Sequence, residues 1–240
     1  DRPLLNLSYG GEIFWSDADW ENRNWEDYIP GKAVAGASDE IEMLRQQFGQ
    51  ACGPEGEWER LPDLAREIAQ HSSATAEILN NLAWKLAATL QSHPHVAVDL
   101  AKEAVARDPE EGNYFDTLGW AELRAGDYSQ AVCHFQEALQ KRPDLGVSAA
   151  GLSIAFARLN LADPAWGALA RALKTGVDDR WIINAYYEAS TVGPPSNPTV
   201  WAEVERVLGS LPEPTLQFLP PVPSVGEEVK VLCRDWPEAE

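Results

Sequence analysis

The chain has 240 residues, 45% of them hydrophobic and 24% charged, enough for one large domain or two small ones with a sizeable core. A formal net charge of -19 argues against nucleic acid and against an anionic membrane surface, because gripping phosphates takes clustered Lys and Arg. No run approaches the roughly 18 consecutive apolar residues of a membrane span, so no transmembrane segment is predicted.

The chain starts at Asp1, which Met removal does not normally expose. The expectation is a processed product or a piece of something longer. Two locations stay open: export after N-terminal processing, or the cytoplasm as part of a larger chain. Residues 1–36 differ from the rest. Trp15, Trp20 and Trp25 recur among acidic residues, and Gly10-Gly11, Pro30-Gly31 and Gly36 break any long helix. An irregular Trp-rich segment is predicted. The cluster has three readings: a lid packed on the helical body, a docking site for another protein, or a carbohydrate-stacking surface.

Residues 37–75 read as N-terminal helices. Ser38 is placed to cap a helix running to about Gln50, with Asp39 and Glu40 at its positive end. Cys52-Gly53-Pro54 stops it. A second helix, from about Pro62 to His71, carries Leu61, Leu64 and Ile68 on one face.

From residue 76 the pattern becomes periodic. Segments 76–111, 112–145 and 146–179 each read as helix, loop, helix. The first two end at Asp108-Pro109 and Arg142-Pro143, and the two prolines are 34 residues apart. The third ends at Thr175-Gly176. Helices over 180–211, including "RWIINAYYEAS", are predicted to cap the array, with a degenerate fourth hairpin as one form of that cap. Residues 212–240 form a Pro-rich tail, extended or polyproline in its first part.

In the middle segment Phe115, Leu118, Gly119, Ala131, Phe135, Ala138 and Pro143 fall in register with the pattern of the tetratricopeptide repeat (TPR) family, which the chain resembles. Leu82, Ala83, Ala97, Ala104 and Pro109 match in the first copy, provided its turn is about two residues longer. Leu152, Ser153, Phe156, Ala165 and Ala172 match in the third. Glu122 departs from the pattern, which usually has an aromatic there. The resemblance covers roughly residues 76–179. It implies an all-α, right-handed solenoid of helical hairpins, here with an irregular N-terminal and a Pro-rich C-terminal extension. It looks like a short bacterial-type TPR protein or the TPR region of a larger chain. The residues require stacking without the family name, since one hairpin cannot bury its own apolar face. Small residues, Gly119 with Ala131 and Ala83 with Ala97, mark the helix crossings, while Leu118, Phe135 and Leu139 fill the space between hairpins.

Trp84, Trp120 and Ile154 occupy equivalent positions, which the resemblance places on helix A facing a concave groove. Four residues earlier stand Asn80, Asp116 and Ala150, and four later Ala88, Arg124 and Arg158. An apolar spine with polar and cationic flanks is expected, and Trp is the type most enriched at binding hot spots. The opposing reading places these Trp side chains in the core. The family's carboxylate clamp is not matched, since Lys85 is one place off.

Chemistry has little foothold. His93 and His95 in "SHPHV" lack a third ligand, so a solvated loop is the simpler reading. The pairs Glu110-Glu111, Asp178-Asp179 and Glu227-Glu228 sit at helix starts or in loops, where carboxylates are stabilised or solvated. Cys52, Cys133 and Cys233 have neither metal spacing nor a CxxC motif, and Cys133 reads as a small buried side chain. No cofactor and no metal are expected. The leading expectation is a non-enzymatic scaffold that binds a protein or peptide partner, such as a subunit of a larger assembly. The alternative is a carbohydrate-binding or enzyme-accessory protein acting through the Trp cluster, which glycan arrays would separate from the first.

Overall fold

The structure, a computed structural model, describes residues 39–53 and 56–210, and among these all regular secondary structure is helical. The expected cap Ser38, the Trp cluster, Cys233 and the Pro-rich tail lie outside the described residues. The described chain forms two compact units, residues 39–125 and 126–210, so the division falls in the turn of the middle hairpin.

The first unit opens with α1 (Asp39–Ala51) and α2 (Leu61–Gln70), which pack together. Ile41, Arg45 and Phe48 recur at helical spacing and are buried, as are Leu61, Leu64, Ala65 and Ile68. The Arg45 guanidinium stays paired, 2.8 Å from Glu42 one turn earlier. Between them a single 3₁₀ turn, Trp58–Arg60, is tied back where Trp58 Nε1 donates to the Gly53 carbonyl at 3.0 Å.

α3 (Ala76–Trp84) starts at Thr75, whose hydroxyl accepts from the Ile78 N–H at 3.2 Å. Instead of stopping, the helix widens into a π-helical stretch, Lys85–Leu90. The chain then turns through Gln91 and His93, both left-handed (φ 51° and 48°), before Pro94 opens α4 (Pro94–Arg107). The two extra residues expected in the first copy are therefore absorbed by a wider helical turn plus a left-handed link, not by a longer loop. Ala83 and Ala97, the expected crossing pair, are both fully buried on helices that pack together. α5 (Gly112–Ala125) completes the unit, packing on α3, the π stretch and α4.

The second unit starts with α6 (Tyr128–Lys141), followed by the hairpin of α7 (Gly146–Arg158) and α8 (Ala162–Lys174). Phe135 on α6 is fully buried, and its ring occupies the space that a side chain at Gly151 of α7 would need. That contact is the filling of the gap between hairpins expected of Phe135. Ser153 stands where the other copies have Gly119 and Ala83, and its hydroxyl donates to the Ala165 carbonyl at 2.8 Å across the α7–α8 crossing. Arg171 donates to the carbonyls of Leu139 and Pro143, tying α8 to the end of α6.

The array continues past residue 179. α9 (Asp179–Thr191) is capped by Asp178, which accepts from the Arg180 N–H at 3.0 Å, and α10 (Pro198–Leu208) is capped by Asn197. α9 packs on α7, and α10 packs on α8, as the two helices of a next copy do. The two expected capping helices thus sit on the third hairpin as a degenerate fourth pair. The described residues are all-α, and within each unit successive helices pack against one another in pairs.

Among the described residues, the turns that follow the π stretch, α5, α7 and α9 each carry a left-handed residue: Gln91 and His93, then Gly126 (φ 86°), Asn160 (φ 59°) and Gly193 (φ 92°). Asn160 follows Gly126 by one repeat length, and Asn is the residue that tolerates this conformation best after Gly. A Cβ at Gly126 would meet nothing within 4 Å, so any penalty there is conformational, not steric. Gly126→Ala is expected to lower stability by about 1 kcal/mol in urea unfolding, and Gly126→Asn by less. An Ala variant as stable as the parent would mean that the turn does not hold this conformation in solution.

Candidate functional site

In the first unit, packing of α3 and the π stretch on α5 brings the helices that carry Asn80, Trp84, Asp116, Trp120 and Arg124 together. Trp84 and Asn80 are half-buried, and the Asn80 Oδ1 lies buried without a hydrogen-bond partner. Asp116 is buried. Trp120 is only 1% exposed, and the Arg124 guanidinium lies over its indole, 5.9 Å from the ring centroid. The Trp120 ring is therefore packed in the interior of the unit, and Arg124 beside it is half-buried. Glu122, the departure from the family pattern, is buried as well.

In the second unit Ile154 is buried on α7, and Arg158 follows it by one turn with its side chain 44% exposed. Arg158 reaches α9, where its Nη2 donates to the Glu188 Oε1 at 2.5 Å. Sequence reasoning passed over Glu188. The signal was a spacing, because Glu188 follows Ile154 by the same 34 residues that separate Ile154 from Trp120. Its carboxyl is buried, and that burial pushes its pKa up to about 8, while the guanidinium beside it works in the opposite sense.

A second cluster in this unit is aromatic. Trp166 of α8 is fully buried between α9 and α10, edge-on to Tyr186 (centroids 5.6 Å apart) and to Trp201 (5.0 Å). Its Nε1 donates to the Gly193 carbonyl at 2.7 Å in the turn of the fourth hairpin. The Tyr186 hydroxyl is buried without a hydrogen-bond partner, and burial raises its pKa above the ordinary phenol range.

Cys133 corrects its sequence reading: it is exposed, on the side of α6 opposite Ala131, Phe135 and Ala138. Cys52 is buried, and burial pushes its thiol up to about 12 despite the nearby Lys85. Lys85, on the π stretch, is itself buried, which lowers its ammonium pKa. His95 is exposed, while His93 is half-buried at the start of α4. Among the described residues there is no group of three or more His, Cys, Asp and Glu placed to hold a metal ion, and no helix is long and apolar enough to cross a membrane.

No family model matches the chain, and no curated protein matches it in sequence. Solved structures similar to it include MamA from MSR-1 in a C2 lattice, at 14% identity and a TM-score of 0.49, over 71% of this chain and 95% of that one. MamA from AMB-1, in a P212121 lattice, is similar at 14% identity and a TM-score of 0.48, over 75% of this chain and 98% of the other.

Proposed function

We propose that this chain is a scaffold that acts by binding and not by catalysis, holding a protein or peptide partner, such as a subunit of a larger assembly, on the helix-A faces of its repeats. What supports the reading is a pairing that recurs in both units. A large apolar side chain is buried and an arginine follows it one turn later: Arg124 lies over the Trp120 ring, while Arg158 follows Ile154 and is part-exposed. Trp84 and Asn80 continue the face in the first unit, beside Asp116. An apolar floor under an ordered guanidinium suits an extended segment or helix that brings apolar side chains and a carboxylate. Trp15, Trp20 and Trp25 are proposed to add a second docking surface.

The test starts with capture of partners by the full chain from its native source, read by mass spectrometry, followed by kinetics on the purified partner. Arg124→Ala is expected to slow association roughly tenfold and to flatten its dependence on salt, with the helical signal unchanged. A partner whose association rate and salt dependence are the same for Arg124→Ala and the parent does not use this face.

A further inference from the structure

α9 is held to α7 by more than apolar packing. Glu188 is 5% exposed, and the basic group within bonding distance of it, among the described residues, is Arg158 at 2.5 Å. The charged groups of the other packed element, α8, are engaged elsewhere: Asp163 accepts from the Ser196 N–H, Arg171 donates to carbonyls of α6 and the turn after it, and Lys174 pairs with Glu203. On α9 itself Arg180 is paired with Asp178, and Tyr186 and Tyr187 are the neighbouring ionisable groups, with Glu205 of α10 near Tyr186.

We propose that the Arg158–Glu188 pair is a proton-sensitive latch that sets how firmly the fourth hairpin docks on the third. Undocking α9 would return Glu188 to water, where a carboxyl titrates in its ordinary range. Docked, burial holds it well above that range, so the docked state binds the proton more tightly. Docking is then firmest below the ordinary carboxylate range, near 4.5, and weakens as the pH climbs toward about 8. Arg158 limits the loss by facing the carboxylate once it forms. Because α9 packs on α7, which carries Ile154, the latch also sets whether a partner finds a further copy beside Ile154. That last consequence alone rests on the groove reading.

Amide hydrogen exchange of α9 in the full chain, corrected for the intrinsic pH dependence of exchange, tests the latch without any partner. The opening equilibrium of α9 is expected to rise more than about tenfold between roughly pH 5 and pH 8. Glu188→Gln should abolish that dependence and Arg158→Gln should steepen it. The Glu188 side-chain carboxyl carbon resonance of the parent should titrate above the ordinary carboxylate range. A Glu188→Gln variant that keeps the parent's pH profile overturns the proposal, as does a parent resonance that titrates at the ordinary value. Should Glu188→Gln fail to fold, the parent resonance decides the matter. Loss of partner capture with the latch intact would count against the groove reading instead.

Discussion

Trp166→Ala is expected to lower stability by about 3–5 kcal/mol and to loosen α10 and the α9–α10 turn from α8. The indole is fully buried, so truncation removes its whole transfer gain and leaves a cavity between three helices. Two edge-to-face contacts go with it, to Tyr186 and Trp201, each worth about 0.5–1.5 kcal/mol beyond area. The Gly193 carbonyl loses its donor at the left-handed corner of the fourth hairpin. Trp166→Phe keeps an aromatic filler but not the N–H, and should lose roughly half as much. Urea unfolding gives the magnitude, and near-ultraviolet circular dichroism follows the aromatic cluster directly. An Ala variant within about 1 kcal/mol of the parent, with its near-ultraviolet signal intact, would mean that Trp166 does not join these elements.

The repeat was legible because it is written in residue types with few other uses. Prolines one repeat apart close successive copies, and small residues recur at Ala83, Gly119 and Ser153, where two helices must cross closely. Of the helices given their own expected bounds, α1 runs over Asp39–Ala51 and α2 over Leu61–Gln70, against about 38–50 and 62–71. The π-helical stretch Lys85–Leu90 was not legible, since "KLAATL" has the composition of an ordinary helix and only the need to absorb extra residues widens it. The neighbours of Cys133 along the chain suggest burial, but its place around the helix decides its exposure. It lies two residues from both Ala131 and Phe135, which is the opposite face. Glu188 falls in a copy too degenerate for the family pattern to mark its helix-A positions. The spine position was legible as a position, but whether its side chain is a contact or a floor depends on neighbours distant in sequence, and burial decides that.

Trp120→Ala carries the other large effect and separates the two meanings of that position. With the ring 1% exposed, removing it is expected to lower stability by about 3–5 kcal/mol, on the order of 10 °C in Tm. The Arg124 guanidinium loses the aromatic surface it stands on, so the cation above the floor should become mobile in the same variant. Affinity must therefore be read per folded molecule, at a temperature where Trp120→Ala remains folded by circular dichroism. If the helix-A face holds the partner, affinity per folded molecule should still fall by about 2 kcal/mol, because a desolvated centre and its guanidinium are lost together. Arg124→Ala should reproduce the kinetic part of that loss with little change in Tm. If Trp120 serves the core alone, the Tm drops and the affinity of the folded fraction stays at the parent's value. A variant that keeps both its Tm and its full affinity would remove Trp120 from the floor and from the site alike.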